Sequence, residues 1–121
     1  MPAADLIPQA AHQRAMLDAK AQADPRVAWL ATRYNRWYLR DLLTRARDHG
    51  VRVVFLYLPV FATTSPPAGA AWLAPFGTLL TPPQQLLTDP TLWNDTEHLN
   101  YTGAKALTRW LAGMLRQAPP P

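Results

Sequence analysis

Cysteine is absent from this 121-residue chain, and serine occurs once, at Ser65. Without cysteine the chain has no disulfide framework, no thiolate nucleophile and no cysteine-based zinc or iron–sulfur site. No uncharged apolar run approaches the roughly 18 residues that a membrane-spanning helix needs. The first residues also lack the basic and apolar regions of a secretory signal, so the sequence predicts neither a membrane span nor a signal peptide.

Hydrophobic residues make up 49% of the chain, which is too many for intrinsic disorder, and the length suits one small domain. The formal net charge is +4, and ten of the twelve cationic residues are arginine. An excess of positive charge affects solubility and the choice of binding partners, but it does not indicate a fold. We therefore expect a soluble globular protein with a single core.

Composition divides the chain into three stretches. Residues 1–24 are rich in alanine and glutamine and have few large apolar side chains, which predicts a loosely held arm or a helix whose packing partner lies elsewhere. Residues 25–118 hold the patterned elements, and residues 119–121 form a proline tail. Asp24 and Pro25 predict the start of a helix, as the N-cap and the first helical residue.

A long amphipathic helix is predicted over residues 26–49, because apolar residues recur on one face with a period of 3.6 residues. Gly50 is placed to end it. The predicted apolar face comprises Ala31, Tyr34, Tyr38, Leu39, Leu42, Leu43 and Ala46, and the opposite face carries Arg26, Arg33, Arg36, Arg40 and Arg47.

Residues 51–58 are apolar at seven of eight positions, which indicates a parallel strand covered on both faces. The proline-rich stretch that follows allows short helical turns within 70–80 and 83–87, and a short strand within 75–80. A last helix is predicted after Asn100, a good N-cap. Because one strand cannot form a sheet, we expect either half of an α/β domain or a second strand hidden in the loops.

The most chemically informative residues lie between 93 and 104. Asp95 precedes His98 by three residues, and Asn100 starts the last helix directly afterwards. This spacing predicts an imidazole on a short turn beside a carboxylate, which is the activating half of a nucleophilic triad. The alternatives are a surface histidine bonded to a neighbouring backbone group and an aspartate that only forms the turn.

The stretch D-x-x-H-L-N-x-x-G-A, from Asp95 to Ala104, resembles the last conserved block of the SGNH (GDSL-type) esterase and acyltransferase superfamily. Residues 38–59 are similar to that family's late helix and strand, so the resemblance covers roughly residues 34–116. It implies a partial flavodoxin-like α/β fold of three layers, with few parallel strands and flanking helices. It also implies that His98 is a general base and Asp95 its orienting acid, with no cofactor.

The family's nucleophilic serine belongs to a Gly-Asp-Ser block, and its oxyanion hole uses a glycine and an asparagine from middle blocks; this sequence contains none of these blocks. Ser65 has no Gly-Asp before it. We therefore expect an SGNH-like fragment, inactive alone, whose serine comes from a missing N-terminal half or a companion chain. The resemblance implies an ester or acylated-glycan substrate and an envelope location; without it, the location is cytoplasmic by default.

Two further functions are compatible with the sequence. The basic helix face, with Arg33, Arg36, Arg40 and Arg47, could meet nucleic-acid phosphates or an anionic membrane surface, although no recognised nucleic-acid motif accompanies it. Five tryptophans and an incomplete sheet could instead belong to an interaction module that completes a partner's sheet. The three histidines have no metal-ligand spacing, so no metal site is predicted.

Overall fold

The computed structural model describes residues 3–23, 25–63 and 70–117, and the side chains of 3, 17, 18 and 20–35 lie outside the description. Within these residues, no helix is long and apolar enough to cross a membrane. The elements are α1 (Ala3–Ala23), α2 (Pro25–Asp48), β1 (Val54–Leu56), α3 (Ala70–Leu73), β2 (Thr78–Leu80), α4 (Gln84–Thr88), a 3-10 helix (Pro90–Leu92) and α5 (Tyr101–Gln117).

The two strands form a parallel sheet, so the chain is a mixed α/β protein that is mostly helical. Val54 lies opposite Thr78 and Leu56 opposite Leu80, and the Tyr57 N–H extends the ladder by donating to the Leu80 carbonyl at 2.9 Å. β2 falls within the stretch where the sequence allowed a short strand. β1 is shorter than the predicted strand over 51–58, because its partner β2 offers only three residues to pair with.

The helix α2 ends at the glycine that the sequence indicated. Gly50 has a φ of +67°, in the left-handed region that glycine adopts without steric cost. The Val51 N–H donates to the Ala46 carbonyl at 2.8 Å, and the Gly50 N–H donates to the Arg47 carbonyl at 3.0 Å. These two bonds make a Schellman motif, which satisfies carbonyls that the end of a helix leaves without partners.

The predicted apolar face of α2 is only partly covered. Leu43 is buried, whereas Tyr38 is 66% and Leu42 is 62% exposed, so residues that the 3.6-residue period places on one apolar face differ in burial. Trp37, beside them, is 65% exposed, and Leu58 after β1 is 43% exposed. The described residues therefore leave apolar surface uncovered on both α2 and the strand region.

The core lies among the loops that follow the two strands. Its buried side chains are Leu6 and Ala10 from α1 together with Phe61, Leu87 and Trp93. The rings of Phe61 and Trp93 meet at 5.7 Å between centroids with an interplanar angle of 67°, close to the edge-to-face arrangement that aromatic rings favour. The indole N–H of Trp93 donates to the Leu86 carbonyl at 3.0 Å, so this buried polar group keeps a partner.

Thus α1, predicted as a loose arm or a helix with a distant packing partner, is a helix with two residues in this core. Leu6 is fully buried and Ala10 is 3% exposed, while Ile7 and Met16 on the same helix are 63% and 62% exposed. Among the side chains of α1 that the structure describes, the buried ones therefore form a narrow stripe, as the sparse apolar residues of this helix lead one to expect.

The start of α5 approaches the 3-10 helix so closely that a glycine is required at position 103. A Cβ atom on Gly103 would lie 2.1 Å from the Leu92 carbonyl oxygen and 3.0 Å from a methyl carbon of Leu99. By contrast, a Cβ atom on Gly113, further along α5, would have no neighbour within 4 Å. Position 103 therefore has no space for a side chain, whereas position 113 has.

We expect Gly103→Ala to lower the free energy of unfolding by about 1–3 kcal/mol, because the added methyl group must displace backbone. Gly113→Ala is the matched control: it should raise stability by up to about 1 kcal/mol, since alanine is the better helix former where space is free. Urea unfolding followed by circular dichroism measures both. Equal stabilisation by the two substitutions would contradict the close packing of α5 on Leu92.

Candidate active site

The loop over residues 94–98 is closed at its base by backbone pairing. Trp93 and Leu99 form an isolated antiparallel bridge, and the Asn94 N–H donates to the His98 carbonyl at 2.8 Å. Because Trp93 is buried in the core, the base of the loop is attached to the packed interior. The tip, with Asp95, Glu97 and His98, faces outward.

Asp95 organises this loop. Its Oδ1 accepts hydrogen bonds from the backbone N–H groups of Glu97 and His98, each at 2.8 Å. The same carboxylate meets the His98 ring, with Nδ1 at 2.9 Å from Oδ1 and 3.0 Å from Oδ2. The two residues that the sequence singled out therefore touch each other, and one side chain both shapes the turn and holds the ring.

Hydrogen bonding keeps the Asp95 carboxyl ionised. The Glu97 N–H contributes most to lowering the pKa of Asp95 below its usual value, and the His98 side chain comes next. An ionised carboxylate can only accept, so the ring must donate from Nδ1. A neutral His98 therefore carries its proton on Nδ1 and has a lone pair on Nε2, which is the arrangement that a general base needs.

The imidazole is open to solvent. The His98 side chain is 71% exposed and that of Asp95 is 35% exposed. Within the described residues, Nε2 of His98 has no hydrogen-bond partner. This atom is thus free to meet a reacting group, but nothing in the described part of the chain encloses it or excludes water from it.

Asn100 joins the loop to the helix behind it. Its Oδ1 accepts from the Gly103 N–H at 3.0 Å, which confirms the predicted N-cap of α5. Its Nδ2 donates to the Thr91 carbonyl at 2.7 Å, and its own N–H donates to the Leu92 carbonyl at 2.9 Å. Asn100 therefore caps α5 and also bonds to the 3-10 helix. These two helices precede and follow the loop in the chain.

Contacts from α1 also reach the loop, and sequence patterns did not indicate them. Gln13 Nε2 donates to a carboxylate oxygen of Glu97, 84 positions further along the chain. Arg14 donates to the Ala62 carbonyl and to Thr63 Oγ1, both at 3.2 Å. No short-range pattern encodes contacts at this separation, and the thin apolar stripe of α1 was the only signal that this segment packs anywhere.

The remaining sequence candidates are placed only in part. Ser65 lies outside the described residues, as does the side chain of Arg33. The guanidinium of Arg36 lies 6.0 Å from the centre of the Trp72 ring, and Arg47 lies 3.7 Å from the carboxylate of Asp48. Arg40 is exposed. The use of this basic face to bind a polyanion stays a prediction.

In the described ranges, no three histidine, aspartate or glutamate side chains come close enough together to hold a metal ion. Comparisons of the chain with protein families, with curated proteins and with solved structures find no match. The site is therefore defined by its own geometry, an aspartate–histidine dyad on a solvent-facing loop.

Asp95→Asn should make the protein less stable at neutral pH. Hydrogen bonds lower the pKa of Asp95 in the folded state below its ordinary value, so the ionised carboxylate stabilises the fold above the ordinary pKa. This stabilisation is lost as the pH falls through the lower, folded-state pKa. The difference in unfolding free energy between wild type and Asp95→Asn should accordingly shrink in acid, as measured by urea unfolding from neutral pH to about pH 2.

Asp41→Asn is a suitable control for that measurement. Asp41 forms an exposed ion pair with Arg45 on α2 at 3.0 Å, and this substitution removes one negative charge far from the loop in sequence. Exposed pairs of this kind contribute at most about 1 kcal/mol. A wild-type advantage over Asp95→Asn that did not change with pH would contradict the role given to the Asp95 carboxylate.

Proposed function

We propose that this chain carries the base dyad of an SGNH-type ester hydrolase or O-acyltransferase, with His98 as the general base and Asp95 as its orienting acid. The observation that carries the proposal is the contact of the His98 Nδ1 with both Asp95 carboxylate oxygens, at 2.9 Å and 3.0 Å. It occurs within the stretch D-x-x-H-L-N-x-x-G-A, which resembles that family's last conserved block.

In the proposed reaction, Nε2 of His98 takes the proton of a serine hydroxyl as its oxygen attacks an ester carbonyl carbon. Asp95 holds the ring by Nδ1 and stabilises the imidazolium that forms. The imidazolium then returns the proton to the departing alcohol, which leaves an acyl-serine. Water or a sugar hydroxyl, activated by the same imidazole, attacks the acyl-serine and releases the serine.

The surroundings of the dyad support this proposal. Asn100 and Gly103 hold the loop against α5 and the 3-10 helix, through the cap at 3.0 Å and the close approach to the Leu92 carbonyl. A loop fastened at both ends keeps an imidazole in one orientation, which general base catalysis requires. Asn100 and Gly103, the motif residues that follow the dyad, therefore help to keep the loop in place.

The proposed fold is one part of a three-layer, flavodoxin-like α/β domain. Parallel sheets normally have both faces covered and more than two strands, whereas β1 and β2 form a sheet of two among the described residues. Exposed Trp37, Tyr38 and Leu42 on α2 are the apolar surface that further layers would cover. We propose that a missing N-terminal half, or a companion chain, adds these strands.

The same missing part is proposed to supply the serine nucleophile and the oxyanion donors. Oxyanion donors each contribute about 10²- to 10³-fold to the rate of acyl transfer, so a dyad without them is nearly inactive. The exposure of His98 supports this view, because a side chain that is 71% exposed still has room for a covering segment. The substrate class proposed is an ester, including an acylated glycan.

Residues 1–121 alone should hydrolyse p-nitrophenyl acetate no faster than an equimolar solution of free imidazole, and His98→Ala should remove no more than that small contribution. The physical reason is that a base without a nucleophile beside it has no hydroxyl to activate. Release of p-nitrophenol, followed by absorbance, measures this. Substantial hydrolysis that disappears on both His98→Ala and Ser65→Ala would overturn the proposal that the nucleophile lies outside this chain.

The decisive experiment uses the DNA next to the coding sequence. An in-frame or adjacent reading frame that encodes a strand followed by Gly-Asp-Ser should, when joined to or expressed with residues 1–121, give esterase activity. Asp95→Asn should then lower kcat by about 10⁴-fold, the loss typical of a triad whose orienting carboxylate is removed. Full activity of the combined protein with His98→Ala would refute the proposed base.

A further inference from the structure

The helix α1 approaches the dyad along one stripe. Leu6 and Ala10 are buried in the core beside Phe61 and Trp93. One turn further along the same stripe comes Gln13, which bonds to Glu97 in the loop. The helix is therefore anchored at one end of the stripe by apolar packing, and the other end of the stripe contacts the loop that carries His98.

The partner of Gln13 is well placed to affect the dyad. Glu97 is the residue between Asp95 and His98 whose backbone N–H donates to Asp95 Oδ1 at 2.8 Å, and it adjoins His98 in the chain. Holding the Glu97 side chain from outside the loop therefore restrains the peptide group that holds the Asp95 carboxylate. The Asp95 carboxylate in turn holds the ring of His98.

A second connection runs from α1 to the loop through residues 61–63. Arg14 donates to the Ala62 carbonyl and to Thr63 Oγ1, and the Phe61 N–H donates to the Thr96 carbonyl at 2.8 Å. Gln13 thus contacts the loop directly, and its neighbour Arg14 contacts residues 62 and 63, which adjoin the residue bonded to Thr96.

The Gln13 side chain is not the one that would give this position the greatest stability. Its Oε1 is buried and has no hydrogen-bond partner among the described residues. Leaving a buried acceptor without a partner costs free energy, and an apolar side chain of similar size would avoid that cost. The amide of Gln13 donates from Nε2 to Glu97, and leucine could not form this bond.

We propose that Gln13 is a positioning residue for the His98–Asp95 dyad, and that α1 acts through it to hold the imidazole in the orientation with Nδ1 toward Asp95. The inference rests on the proposed function, because the orientation matters only if His98 is a base. It assigns α1, the segment that resembles no part of the family's late block, a role in the site.

The test compares Gln13→Leu with the matched control Gln9→Leu. Gln9 lies one turn earlier on α1 and is exposed. The readouts are the imidazole tautomer, from ¹⁵N chemical shifts of histidine-labelled protein at about pH 9, where a histidine is neutral, and the amide hydrogen exchange of Glu97 and His98 at neutral pH. Thermal unfolding is measured in parallel.

In the wild type we expect the Nδ1–H tautomer at His98. Gln13→Leu should shift the population toward the Nε2–H tautomer and speed exchange at Glu97 and His98 by roughly tenfold, without lowering the midpoint of thermal unfolding. Gln9→Leu should change none of these. A purely structural role for Gln13 would alter the unfolding midpoint and leave the tautomer as it was.

Wild-type tautomer and exchange in a folded Gln13→Leu protein would overturn the inference. If that variant fails to fold, Glu97→Ala removes the same bond from its exposed end and must produce the same shift. An Nε2–H tautomer in the wild type itself would count against the proposed base dyad whatever Gln13 does, so failure of the proposed function and failure of the positioning role give different results.

Discussion

The Asp95 carboxylate is the interaction on which the loop and its chemistry depend. Two backbone N–H groups and the His98 ring all bond to it, so the charge that shapes the turn is the charge that orients the imidazole. The same bonds lower the pKa of Asp95 and keep it ionised. Structure and chemistry are therefore coupled at one side chain: whatever weakens the turn also releases the ring.

The buried core of the described residues lies beside this loop rather than on the sheet. Phe61 and Trp93 form the centre of the core, and Trp93 also forms the base of the loop through its bridge to Leu99. Helix α1 reaches the same cluster through Leu6 and Ala10. Among the described residues the sheet has two short strands. Phe61 of the core follows β1 in the chain, and Leu87 and Trp93 follow β2, beyond the strands' carboxyl ends, where α/β proteins commonly place their sites.

The dyad and part of the apolar surface of α2 are both exposed. The imidazole faces solvent, and apolar side chains of α2 such as Trp37 and Leu42 are uncovered. Large apolar side chains exposed together usually mark a surface that another segment covers. Under the proposed function, a further part of an α/β domain would cover these apolar side chains and would bring a hydroxyl to the imidazole.

Sequence by itself determined the local features: the end of α2 at Gly50, the cap of α5 by Asn100, and the contact of Asp95 with His98, because each depends on groups within a few residues. Only the tertiary structure decided the pairing of β1 with β2, the anchoring of α1, the contact of Gln13 with Glu97 and the exposure of Tyr38. Contacts between distant residues require loop closure and compete with other pairings, so their outcome depends on the packing of the whole chain rather than on any short pattern.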